Sequence, residues 1–152
     1  MILMGDIQSI VHGLIEKHPA LARVRILDDD GTYPQIPKRE EALNTAGVLI
    51  VVGLVATGPA ESMAESGHTS YQGQISVCCE CNPAVSRSST GTNLPAPTAA
   101  EHVAAAVVGK PLTEDNRFQL DSGEPFLNLS PENGIHRFAV NFTIARLIEP
   151  LP

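Results

Sequence analysis

Hydrophobic and polar residues alternate along the stretch Ile135-His136-Arg137-Phe138-Ala139-Val140-Asn141-Phe142-Thr143-Ile144-Ala145-Arg146-Leu147-Ile148. Phe138, Val140, Phe142, Ile144 and Ile148 share one face of an extended chain, because successive strand side chains point to opposite sides. Arg137, Asn141 and Thr143 share the other. The run holds aromatic and β-branched residues and no Gly or Pro, which predicts a central or long edge strand. A second alternation sets Tyr71, Gly73, Ile75, Val77, Cys79 and Cys81 against Gln72, Gln74, Ser76, Cys78 and Glu80. It predicts a half-buried antiparallel strand with one wet face. The apolar run from Gly47 to Ala56 has no alternation; its length and β-branched bias predict one buried strand, closed by Thr57-Gly58-Pro59. Shorter strands are expected at Val24 and Ile26, at Phe118 and Leu120, and at Phe126 to Leu129. The turn Ser130-Pro131-Glu132-Asn133-Gly134 leads into the final strand.

Two stretches carry helical periodicity instead. From Gly5 to His18, Ile7, Ile10, Val11, Leu14 and Ile15 make one apolar stripe, with Asp6 as the expected N-cap and Pro19 as the stop. From Thr98 to Gly109, Thr98 and Glu101 have capping-box spacing, and Gly109 and Pro111 end the helix. Its small face of Ala100, Val103, Ala104 and Val107 suits close packing on a sheet. Tyr33 to Arg39, with Pro34 and Pro37, is expected to be a loop or irregular edge. Ala84 to Pro97, rich in Ser, Thr, Gly and Pro, is expected to be a long loop, and loops of that length inside compact domains are commonly functional or disordered. Helix, strands, helix, strands is the order of an α+β fold: a mainly antiparallel sheet with a long final strand, covered by an N-terminal helix and a second helix near 98–109. One domain over residues 1–152 is expected from the length.

Composition narrows the partners. The formal net charge is -7 and no basic run occurs, which argues against nucleic-acid or anionic-membrane surfaces. No apolar run reaches the about 20 residues a membrane helix needs. The first residues lack the basic and apolar regions of a secretory signal, so a cytoplasmic site of synthesis is expected. Three clustered cysteines, an odd count, make a poor disulfide framework and fit a reducing compartment.

Candidate chemistry is sparse. Cys78-Cys79-Glu80-Cys81 lacks the second ligand pair a tetrahedral zinc site needs, and His68 or His102 could complete one only by an approach in space. Small apolar packing of Cys79 and Cys81 on one face, with Cys78 on the other, is the expected role. A cysteine nucleophile needs a cationic neighbour, whereas Glu80 would raise a thiol pKa. Asp28-Asp29-Asp30-Gly31 lacks the alternating ligands of a calcium loop and reads as a solvated acidic turn. Neither a phosphate-binding glycine loop nor a nucleophile elbow is present. No catalytic residue, metal or cofactor is expected.

The layout as a whole resembles the tail terminator (tail completion) and minor tail proteins of long-tailed bacteriophages and prophages. The resemblance is carried by Asp6 to His18, Gly47 to Ala56, Tyr71 to Cys81, Thr98-Ala-Ala-Glu-His-Val-Ala-Ala-Ala-Val-Val-Gly-Lys-Pro-Leu112, and Gly134-Ile-His-Arg-Phe-Ala-Val-Asn-Phe-Thr-Ile-Ala-Arg146. It implies a non-enzymatic structural protein of the virion tail, assembled in a bacterial host cytoplasm. Its implied partners are itself, as a ring expected to be a hexamer, the tail-tube protein and the head-tail connector. Arg87, Ser88 and Thr90 in the long loop are the expected contact residues. Two other classes stay open on sequence: a small cytoplasmic ligand-binding or regulatory domain with a pocket between the Cys-bearing strand and the first helix, and an enzyme using Cys79 and a histidine.

Overall fold

A computed structural model describes residues 4–29, 36–59, 71–88, 91–113 and 116–148. In chain order the elements are α1 (Met4–Glu16), a 3-10 turn (Pro19–Leu21), β1 (Arg25–Asp28), α2 (Ile36–Thr45), β2 (Val48–Val52), β3 (Ala56–Pro59) and β4 (Tyr71–Cys81). They continue with α3 (Pro83–Ser86), α4 (Ala96–Val107), β5 (Pro111–Thr113), β6 (Asn116–Arg117), β7 (Gln119–Leu120), β8 (Phe126–Glu132) and β9 (Ile135–Ile148). The fold is α+β. One sheet runs β1-β2-β4-β9-β7, with β3 also on β4 and β8 also on β9, while β5 and β6 form a separate ribbon. Only the β1–β2 pair is parallel; the others described in this sheet are antiparallel.

The final strand is central, as its pattern predicts. β9 pairs with β4 from Cys81 opposite His136 down to Gly73 opposite Ile144. Its other side takes β8 in the upper half and β7 lower down. The alternation of both long strands therefore adds up to one continuous apolar face: Val48, Ile50 and Val52, then Cys81, Cys79, Val77 and Ile75, then Val140, Phe142 and Ile144, all buried. Burying such side chains gains about 1.5–3 kcal/mol each and drives the layering. α1 covers this face over β1 and β2 through Ile7, Val11 and Ile15, and α4 covers it over β4 and β9 through Ala99, Ala100, Val103 and Val107. The helix over the Cys-bearing strand is thus α4, not α1.

Four local expectations are corrected. Residues 36–45, partly expected as an irregular edge up to Arg39, form α2; residues 30–35 lie outside the described residues. Pro37 is tolerated because it falls in the first turn, where its missing N–H would be unbonded anyway. The run from Gly47 to Ala56 is broken at residues 53–55 into β2 and β3 rather than forming one strand. Asp6 is not an N-cap, because α1 already runs from Met4; it sits in the first turn, where its negative charge suits the helix dipole. Thr98 is not a cap either: α4 begins at Ala96 with Pro95 at the N-cap and no side-chain cap bond, since Pro95 and Pro97 already set the backbone for a helix start. The C-terminal end of α4 falls where expected, with Gly109 at φ +76° just beyond it.

α2 lies on the second face, where Ala42 and Leu43 pack on Leu49, with Leu27, Val51 and Ile135 alongside. Its presence changes the fate of Glu80. The sequence pattern puts Glu80 on a wet face, but the residue is only 2% exposed. Arg39 of α2 reaches over the sheet and grips both Glu80 carboxylate oxygens, donating from Nε at 3.2 Å and from Nη2. Two guanidinium bonds to one carboxylate are the strong, directional form of this interaction. Arg39→Ala strands a buried carboxylate and is expected to lower unfolding stability by about 2–4 kcal/mol in urea titration. Substituting the exposed Lys38 to Ala should change it by less than about 0.5 kcal/mol.

Candidate functional site

The segment after β4 is tied down rather than loose. Ser86, the last residue of α3, is buried, and its hydroxyl accepts from Leu94 N–H at 3.1 Å and lies 3.4 Å from the Thr92 hydroxyl. Asn93 N–H donates to Ser86 C=O at 2.7 Å, and Thr92 N–H to Ala46 C=O at 3.2 Å. Gly47, at φ +81°, leaves the space Ser86 fills; a Cβ there would run into the Ser86 backbone. Asn82 N–H completes the tie by donating to Gly47 C=O at 2.7 Å. This knot holds the chain directly after α3 in place: Arg87 and Ser88 are exposed at its surface, while Thr90 lies outside the described residues.

Arg87 lines a small cavity of about 40 Å³ with Cys81, Asn93, Pro95 and His136. His136 also lines a larger groove of about 480 Å³ between the start of α4 (Ala96, Pro97) and the β8–β9 hairpin (Asn128 to Pro131, Arg137, Phe138). The β4–β9 register places Cys81 opposite His136, so the expected loop residue Arg87 meets the final strand here. The described residues lining the two openings include no carboxylate; Arg87 borders the smaller one, while the Arg137 guanidinium donates to Ser130 C=O at 3.0 Å and, by the alternation of β9, lies on the Glu80 side of the sheet. The apolar wall is Phe138, whose ring lies 6.3 Å from that of Phe126, itself 37% exposed. Such a groove can hold an apolar side chain. Sequence reasoning singled out Arg87 but missed His136, which lines the same small cavity, and the Phe126–Phe138 pair of the hairpin. The β-strand register that joins them is non-local.

The cysteines have the packing role expected. Cys79 and Cys81 are buried on the helix-covered face, and Cys78 is half-buried on the other. Burial pushes the Cys78 thiol up to about 11, and the Glu80 carboxylate adds to the rise, with Arg137 and Arg39 opposing it. Burial raises Cys79 as well, helped by Cys78 and Glu80. It also raises Cys81, against hydrogen bonds from Ser86 and the Ala96 backbone. Thiols so shifted are protonated at neutral pH and poor nucleophiles. His102 lies against His18, ring centroids 5.3 Å apart, and His68 falls outside the described residues. Among the described residues, no group of three or more His, Cys, Asp or Glu could hold a metal ion. Among them also, no helix is long and apolar enough to cross a membrane.

No family model and no curated protein matches the chain. Among solved structures, the chain is similar to one from the virion of a native gene transfer agent particle. The two are 16% identical, the match covers 99% of this chain and 100% of that one, and the TM-score is 0.57. At that identity the likeness is one of fold.

The knot and the thiols each set an expected outcome. Gly47→Ala combines a positive φ with a backbone collision and should cost about 3 kcal/mol or more, read as a fall in the urea midpoint. Iodoacetamide at neutral pH should label the folded protein far more slowly than the urea-unfolded chain. Labelling of Cys78 should quicken about tenfold per pH unit until about 11, because only the thiolate reacts.

Proposed function

We propose that the chain is a structural component of a phage-like particle, a tail terminator or neighbouring neck protein acting as a ring of about six copies. What supports this most is the extent of the fold likeness: it runs over 99% of this chain and all of a chain from a gene transfer agent virion. A shared local motif would not extend so far. The reading also agrees with the layout resemblance carried by β4, α4 and β9.

The physical features suit such a role. A ring is closed by head-to-tail contacts, so each subunit needs two different complementary surfaces. The sheet has two dissimilar edges, β1 with β3 on one side and β7 with β8 on the other. The acidic balance suits a lumen through which DNA slides without sticking. In this reading the tail tube and the head connector are the neighbours, and Arg87 and Ser88, with Thr90, contact one of them. The protein works in the virion tail, without a catalytic centre.

Deleting the gene from a producing strain should leave heads and tails that fail to join, or tails of uncontrolled length, under the electron microscope. Restoring the full chain should place it in purified particles. Normal particles in its absence would contradict the assembly role. Arg87→Glu should reduce joined particles by at least about tenfold, as expected of a charged contact residue. Assembly at the native level would remove Arg87 from the interface.

A further inference from the structure

The turn that joins β8 to β9 sets Asn133 directly before Gly134, and no other asparagine of the chain precedes a glycine. Both residues have positive φ, +51° and +76°, and Glu132 pairs with Ile135 across them. That is the backbone of a tight two-residue hairpin turn, which favours Asn-Gly because both residues tolerate the left-handed region. Both are exposed, and a Cβ on Gly134 would meet nothing within 4 Å. Little holds the tip. β4 ends at Cys81, opposite His136, so the turn projects beyond the β4–β9 ladder. The β8–β9 register shifts between Leu129 and Glu132, which leaves Glu132–Ile135 as the pair described at the tip. Arg137 Nη2 donates to Ser130 C=O at 3.0 Å and so braces the hairpin below the turn rather than the turn itself.

An exposed asparagine before a glycine carries its own chemistry. The Gly134 backbone nitrogen, once water or hydroxide has taken its proton, can attack Cγ of the Asn133 side chain. A bond forms between that nitrogen and Cγ, the Cγ–Nδ2 bond breaks, and the departing NH2 group takes up a proton and leaves as ammonia. The cyclic imide then consumes one water. Opening at Cγ gives aspartate, whereas opening at the Asn133 backbone carbonyl gives isoaspartate, with the main chain rerouted through the former side chain. Glycine matters because it has no Cβ to crowd the attacking nitrogen. Asn82 is the opposite case, since its neighbour Pro83 has no N–H to lose. We propose that Asn133–Gly134 is a self-modifying deamidation and isomerisation site of the folded protein, with water as the only co-reactant. The tip must open to bring the nitrogen onto Cγ, and local opening of so lightly held an end costs far less than global unfolding. Each event adds a carboxylate, and the isoaspartyl product lengthens the backbone by a methylene that a tight turn cannot absorb. The β8–β9 tip therefore loosens as the chain ages. This inference is independent of the particle reading.

The test is to age the full, folded chain at physiological temperature, from mildly acidic to mildly alkaline pH, and to map its peptides by mass. Asn133 should convert ahead of every other asparagine, its fragment exchanging NH2 for OH and giving both aspartate and isoaspartate. The rate should rise by up to about tenfold per pH unit, because the attacking nitrogen must first lose its proton. Asn133→Gly keeps a residue suited to positive φ and removes the side-chain amide, so it should fold like the native chain and never convert at this position. Amide exchange at Ile135 and His136 should quicken in the aged native chain and not in the aged Asn133→Gly chain. A folded chain that keeps Asn133 intact while the urea-unfolded chain converts it overturns the proposal, because the turn then shields the site. Conversion spread evenly over the asparagines overturns it as well. Conversion at Asn133 with no quickening of exchange at the tip overturns the loosening.

Discussion

The antiparallel ladder between β4 and β9 is the constraint on which the other features depend. It runs from Cys81 and His136 to Gly73 and Ile144, and it brings the middle of the chain to its end. A slip of one residue would turn Val77, Cys79, Val140 and Phe142 away from the helices and put Ser76, Cys78, Ala139 and Asn141 in the core. The apolar alternation on both strands forbids that slip. With the register fixed, Cys81 meets His136 beside the α3 knot, and the groove between α4 and the β8–β9 hairpin exists. Loss of this one pairing would remove both the core and the candidate surface.

The second face follows a different logic. It is half polar, with Ser76 bonded to Asn141, and among the described residues α2 covers its β1–β2 end. The bond from Arg39 to the Glu80 carboxylate extends the hold of that helix to β4 with little apolar area. Charge and hydrogen bonds do there what packing does on the first face.

Much of this was legible in the sequence, for a physical reason. Period-two patterns in 71–81 and 135–148 and the stripe in the first helix arise directly from which side chains must be buried, so fold class and the two long strands could be read. α2 could not, because its described apolar contacts are only Ala42 and Leu43 and its other residues are mostly polar or charged; the prolines at 34 and 37 suggested a loop. Missing α2 also hid the burial of Glu80. The break at residues 53–55 was masked by an unbroken apolar run, although Gly53 within it was a signal of backbone irregularity. Arg87 could be singled out by its loop, but its neighbour His136 lies about fifty residues on and depends on strand register. Local patterns survive in sequence, whereas sites assembled by long-range pairing do not.

The central claim is that the β4–β9 ladder holds the core together and that the other elements are built on it. Amide hydrogen exchange of the native chain tests it most directly. The account predicts the slowest exchange at Val77, Cys79, Val140 and Phe142, at the centre of that ladder, and faster exchange in β3 and the β5–β6 ribbon. A ladder centre that exchanges as quickly as those shorter strands would contradict it.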